Sequence, residues 1–379
     1  MSTEPQLTRA SVEAAHSLIK PYIHETPVLT SKTVDLIAST PQLPSELLGT
    51  KWESQPPAKP ILRLHFKCEN FQKIGAFKAR GAFHAIERLK QQSNWEEIKS
   101  KGVITHSSGN HASALALASS TSLLPSYIIM PTISSPLKIS ATQSHHPSLI
   151  SIHFSGPTSS EREALTSKIQ SLTSSTLIPP YDHPDIIAGQ GTASLELLSQ
   201  TTPPSSQSSI LNAIITPLGG GGLLSGTALT CSTTPTKVYG SEPSFQGAND
   251  AFQAFYSPTG DRITTVKSLT IADGLRTPVG KLNWEIIYHR KLVDGIYSVT
   301  ENQIKSALKL VLERMKIVVE PSAVVPLAVA LYNEDFRKMV EGESGEKGWD
   351  LGIIFSGGNI SVEGLAKLFG EDEKKETKE

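Results

Sequence analysis

Short apolar runs recur along this chain with helix-like stretches between them, and that alternation narrows the possible folds more than any other feature. Gly102–Thr105 reads as a buried strand, and Asn110–Ser119, rich in Ala and Leu, as the helix after it. Tyr127–Met130, stopped by Pro131, and Leu149–Phe154 read as two more strands, the second followed by a polar helix from about Ser160 to Leu172. Then come a helix over Ile186–Leu198, a strand over Ala213–Pro217, a helix from Leu223, and strands at Val238–Gly240 and Ile353–Phe355. Apolar strands alternating with helices imply parallel-type sheets covered by helices, an α/β fold. At 379 residues the chain exceeds what one compact core holds, so two lobes are expected. Residues 93–181 read as a small domain, and residues 1–92 with 182–379 as a large one, with a ligand cleft between them.

Composition bounds the function classes. The formal net charge is −1, which gives no electrostatic reason to expect a nucleic-acid partner. The only cysteines are Cys68 and Cys231, too few for a disulfide framework or a zinc site. The first residues carry Glu4 and Glu13 and no apolar core, unlike a secretory signal. No stretch approaches the ~18 apolar residues of a membrane span. A cytoplasmic protein with no membrane partner is the expectation. Ser39–Pro60 and Thr201–Ser209 are rich in Ser, Thr and Pro and read as surface excursions.

Four segments carry chemistry. Gly219-Gly220-Gly221-Gly222 lies between a strand and a helix. Residues without Cβ let backbone N–H groups converge, and a helix N-terminus adds partial positive charge, so a phosphate fits there. A glycine run alone is as readily a flexible turn, and no Gly-x-x-x-x-Gly-Lys-Ser/Thr nucleotide loop accompanies it. Lys78 follows Ile74–Phe77 and precedes small residues; a lysine desolvated in such a setting offers a neutral amine for a Schiff base, while a surface lysine beside Lys73 and Arg80 is the ordinary alternative. His106-Ser107-Ser108-Gly109-Asn110-His111 opens a helix, where hydroxyls and amides grip a carboxylate or simply cap the helix. Ser356-Gly357-Gly358-Asn359 ends the last strand.

In this order, these segments resemble the serine/threonine dehydratase and serine racemase family, pyridoxal-phosphate enzymes of fold type II. The resemblance runs from Ile23-His24-Glu25-Thr26-Pro27 to Asn359. It takes in Ala188-Gly189-Gln190-Gly191-Thr192, Ile271-Ala272-Asp273-Gly274 and the stretch ending at Glu320-Pro321. It implies a two-lobed tryptophan-synthase-β-like fold with pyridoxal 5'-phosphate in the cleft between the lobes. Lys78 then matches the Schiff-base lysine and Phe77 the residue packing near the ring. Asn110 matches the partner of the ring 3-oxygen, and Ser356 that of the ring nitrogen. Gly219, Gly220, Gly221, Gly222 and the Leu223 amide match the phosphate cradle. Ser107, Ser108 and His111 match substrate contacts, Ser108 also the second acid–base group of racemases. Arg162 is a candidate partner for the substrate carboxylate.

The resemblance implies β-elimination from a small hydroxy-amino acid (L-serine, L-threonine or 3-hydroxyaspartate), giving a 2-oxoacid and ammonia. Serine racemisation is the alternative, and a non-catalytic module of the same fold is the third reading. A homodimer is implied. A divalent cation, Mg²⁺ or Ca²⁺, matches Glu242, the Ala248 carbonyl and Asp250, although the loop between them is longer than the family spacing. Ala76, Ala112-Ser113 and Tyr181 also depart from the family pattern, and all border the pocket.

Overall fold

The computed structural model describes residues 7–107 and 109–376. Their strands are β1 (Val28–Leu29), β2 (Leu62–Cys68), β3 (Val103–His106), β4 (Ser126–Pro131), β5 (Ile150–Ser155), β6 (Thr176–Leu177), β7 (Ala213–Pro217), β8 (Lys237–Pro243), β9 (Gly295–Val299) and β10 (Trp349–Phe355). They form a larger sheet in the order β1-β2-β10-β7-β8-β9 and a smaller one in the order β5-β4-β3-β6. Only β1 runs antiparallel to its neighbour; every other pair is parallel. This is the α/β architecture expected from the alternation. Among the described residues no helix is long and apolar enough to cross a membrane.

The larger sheet is covered on both faces, and its sequence follows from that. Neighbouring residues on a strand point to opposite faces. Ile214 and Ile354 pack with Ile187, Leu224 and Leu229 on one side, while Ile215 and Ile353 pack with Val324, Leu327 and Ala328 on the other. The paired stretches Ala213–Ile215 of β7 and Leu351–Ile353 of β10 are accordingly apolar on both faces. The Pro321–Tyr332 helix is buried from Pro321 to Leu331, so it is apolar all round instead of striped. Truncating one such side chain, Ile353→Ala for example, is expected to cost ~2–5 kcal/mol.

Two features depart from a simple reading of the sequence. The Ser39–Pro60 excursion is bolted down, not loose. The fully buried Arg337 guanidinium donates to the carbonyls of Ala38 and Thr40, each at 2.6 Å. Glu334 accepts from the Ala58 N–H and from the Gln42 amide. Arg80, two residues after Lys78, is fully buried. It donates to both Glu69 and Glu196 at 2.7–2.8 Å, while the buried Lys67 donates to Glu196 at 2.7 Å. Two cations and two carboxylates thus neutralise one another under the helix that begins at Lys78.

Candidate active site

Parallel strands deliver their following loops to one edge. β10 lies between β2 and β7, with Cys68 opposite Phe355 and Ile353 opposite Ile215. The loop after β2 leads to Lys78, β10 ends at Ser356, and β7 runs into the glycine turn. The approach to Lys78 is stitched to the end of β10. The Phe77 N–H donates to the Ser356 carbonyl at 3.0 Å, and the Gly358 N–H to the Gly75 carbonyl at 2.9 Å. Ser356 is buried. From the smaller sheet, β3 delivers Ser107, and Asn110 opens the Asn110–Thr121 helix. Ser108 lies outside the described residues.

The Lys78 amine donates to the Pro180 carbonyl at 2.7 Å. Desolvation lowers it from 10.5 to about 8, because burial penalises the charged form. The Phe77 ring centroid is 5.1 Å from that nitrogen. His111 is buried, and its Nε2 meets the Ile178 carbonyl at 3.2 Å. That partner fixes Nε2 as the protonated nitrogen and leaves Nδ1 as a buried acceptor with no partner among the described residues. Desolvation, reinforced by the Lys78 charge, lowers its pKa to about 3. The ring is therefore neutral, and what His111 offers an anion is its main-chain N–H at the helix start.

The glycine turn is bare, buried backbone. Gly221 has φ of +98°, a left-handed conformation that favours glycine. A Cβ there would also lie 2.7 Å from the Asn283 Cβ, and one on Gly220 would run into the Tyr181 ring. The Gly222–Cys231 helix begins directly after it, with Leu223 in its first turn. Main-chain N–H groups at the start of a ten-residue helix with no side-chain cap favour a phosphate dianion.

Asn110 meets a residue that no single motif pointed to. Its amide donates to Glu320 at 3.0 Å and its carbonyl oxygen accepts from the Asn359 amide at 2.9 Å. Glu320 is buried, and desolvation, reinforced by Asp273, raises its carboxyl to about 8. Arg162 sits in the Ser159–Thr173 helix, where its charge acts on His106 and Tyr181. A cavity of about 1070 Å³ is lined by Asn110, Glu320, Lys138 and Asp273 among others. Lys78 and the glycine turn do not line it, because the segment after β6 covers them: Pro180 takes the amine and Tyr181 stands on Gly220.

Glu242 and Asp250 come together on a second, separate part of the sheet edge, at the end of β8. Both are buried, as is Ala248. Glu242 accepts from the N–H groups of Ala251 and Phe252. Desolvation and then the Asp250 charge raise its pKa well above 4.5; desolvation brings Asp250 to about 7. Two adjacent buried carboxylates form an oxygen-rich site suited to a hard cation. Among the described residues no third His, Cys, Asp or Glu joins them.

Comparison with known proteins agrees with this geometry. The sequence profile of the family described as "Pyridoxal-phosphate dependent enzyme" matches residues 36–346. Serine racemase of Dictyostelium discoideum is 40% identical over 364 residues, 96% of this chain and 98% of that protein. L-threo-3-hydroxyaspartate ammonia-lyase of Saccharomyces cerevisiae is 38% identical over 369 residues, 97% of each chain. The structure of maize serine racemase superposes with a TM-score of 0.79 at 34% identity, covering 98% of this chain and 99% of that one.

Proposed function

The chain belongs to the pyridoxal-phosphate-dependent enzymes, and from that premise we propose that it eliminates the β-hydroxyl of a small hydroxy-amino acid to give a 2-oxoacid and ammonia. L-serine, L-threonine and 3-hydroxyaspartate are the candidate substrates. The observation that carries this reading is the desolvated Lys78 amine, lowered to about 8, at the same sheet edge as the bare glycine turn.

The residues present fit the cofactor. Gly219–Gly222 and the Leu223 amide would hold its phosphate, Lys78 its aldehyde, Asn110 its 3-oxygen and Ser356 its ring nitrogen, with Phe77 beside the ring. When bound, pyridoxal phosphate supplies an electron-withdrawing ring that acidifies the substrate Cα–H. Lys78 Nζ, whose pKa desolvation lowers to about 8 so that a usable fraction is neutral, takes that proton as general base. The N–H groups at Asn110 and His111, with Ser107 and Ser108, hold the substrate carboxylate; Arg162 adds positive charge at the mouth. Ser356 offers a hydroxyl where a carboxylate would keep the ring nitrogen protonated. That choice favours prompt loss of the β-hydroxyl over transamination.

Serine racemisation is the second reading. The likeness to the D. discoideum protein favours it, as does Ser108, which would be the acid–base group on the face opposite Lys78. One assay separates the two. Purified holoprotein is incubated with L-serine, D-serine, L-threonine and both threo-3-hydroxyaspartates, and 2-oxoacid and enantiomer are followed together. Oxoacid without enantiomer supports the lyase, enantiomer in excess the racemase, and neither product leaves a non-catalytic module. Loss of racemisation with retained L-serine elimination in Ser108→Ala would support two opposed bases.

A divalent cation, Mg²⁺ or Ca²⁺, is proposed on Glu242, Asp250 and the Ala248 carbonyl, with water completing the shell. Added cation should raise the melting temperature of the wild type and leave Glu242→Gln unmoved; equal shifts in both would refute it. A cytoplasmic location, from composition, a 93–181 small domain, from the strand–helix alternation, and a homodimer, from the family resemblance, complete the reading.

A further inference from the structure

Three consecutive residues between the two sheets reach both the lysine end and the glycine end of the expected cofactor site. Pro180 takes the Lys78 amine. Tyr181 lays its ring where a Gly220 Cβ would be, and its carbonyl accepts from the Asn283 amide at 3.3 Å. Asp182 directs its carboxylate into the start of the Lys281–Trp284 turn. Its Oδ2 accepts from the Lys281 N–H at 2.9 Å, and its Oδ1 from the Leu282 N–H at 2.9 Å and the Asn283 N–H at 3.3 Å.

That turn is the outer wall of the glycine loop. The Gly280 N–H donates to the Gly220 carbonyl at 3.0 Å. The Asn283 Cβ lies 2.7 Å from where a Gly221 Cβ would be, and the Asn283 carbonyl accepts from Ser225 in the helix after the loop. Gly280 has no room for a side chain, because a Cβ there would run into Asp182 itself. A loop of four glycines has no side chains with which to hold its own shape, and each residue has wide conformational freedom. Its N–H groups converge only if something outside fixes the backbone. The wall that does so is tied to Asp182 by charge-assisted hydrogen bonds.

We propose that Asp182 is a positioning residue for the phosphate end of the cofactor site: it anchors the 280–283 turn that shapes the glycine loop. This rests on the reading of that loop as a phosphate cradle. The Asp182 charge does not oppose a phosphate, since the main-chain N–H groups of Lys281, Leu282 and Asn283 compensate it. Substitution acts on the cradle and spares Lys78, whose partner is a carbonyl two residues away.

Pyridoxal and pyridoxal phosphate separate the two ends, because only the second engages the cradle. Apoprotein prepared from the purified holoprotein is titrated with each, and the lysine adduct is fixed with borohydride and located by peptide mass. In the wild type the phosphate should strengthen binding strongly. In Asp182→Ala that phosphate-dependent gain should shrink by about tenfold or more, the scale of lost charge-assisted hydrogen bonds, while pyridoxal still labels Lys78 as in the wild type. Asp182→Asn, which keeps one acceptor oxygen, should fall between them and serves if the alanine variant does not fold. An unchanged gain in Asp182→Ala, or equal losses for both aldehydes, overturns the proposal. A wild type that binds the two aldehydes equally would instead remove the phosphate-cradle reading beneath it.

Discussion

Cofactor capture by the apoprotein should switch on with a midpoint near pH 8, two and a half units below an ordinary lysine. The perturbation is pH alone. Only a neutral amine attacks the aldehyde, and burial lowers Lys78 from 10.5 to about 8. At pH 7 a lysine titrating at 8 is neutral about one part in ten, and one titrating at 10.5 about one part in 3,000, so capture should be ~300-fold faster than by a free lysine. The assay is stopped-flow mixing of apoprotein with pyridoxal phosphate across pH 6–10 as an order-of-range scan, with borohydride trapping to identify the adduct. A free-lysine analogue is the control and Lys78→Met the blank. Stability carries the same signature with a definite sign. Between about 8 and 10.5 the unfolded chain binds more protons at this position than the folded one, so stability should rise with pH through that window. Lys78→Met should lack the rise and be the more stable protein below it. A capture midpoint near 10.5, or an adduct on another lysine, would refute the argument that the scaffold sets this amine's charge.

Other substitutions follow from the same geometry. Gly220→Ala should force the Tyr181 ring out of its seat, at ~1–3 kcal/mol of overpacking, with weaker cofactor binding in the same titration. Glu320, raised to about 8 by burial, binds more protons folded than unfolded between 4.5 and 8. Stability should therefore decline as pH rises through that window, and melting curves of Glu320→Gln should show a shallower decline; parallel curves would contradict the assignment. Arg80→Ala should cost ~3–5 kcal/mol in urea unfolding, because it strips a partner from two buried carboxylates. A loss under about 1 kcal/mol would mean the four-charge cluster is solvated.

What the sequence disclosed was local chemistry, and what it withheld was long-range contact. β7 and the Ile353–Phe355 end of β10 were legible because both are buried among apolar side chains. β2 was not, since Arg63, His65 and Lys67 interrupt it, and nothing nearby reveals that Lys67 ends on Glu196. Lys78 and the glycines stand in recognisable strings. Pro180 and Asp182 do not: one acts through a carbonyl any residue carries, the other caps a turn about a hundred positions away. Glu320 was visible only as part of a string, because its meaning lies in the Asn110 amide against it.

The strand order is what turns those strings into a site. Lys78, the glycine turn and Ser356 are far apart in the chain, and only the insertion of β10 between β2 and β7 sets their loops side by side. On the proposed reading the cofactor would be joined to Lys78 and held at its phosphate by the glycine loop, so the two ends must keep their separation. Sheet register can supply that distance for the lysine, whose approach is hydrogen-bonded to the end of β10. It cannot supply it for a glycine loop, which leaves the strand with no side chains of its own. The wall held by Asp182 closes that gap, so the lysine end should survive loosening of the wall while the phosphate end should not.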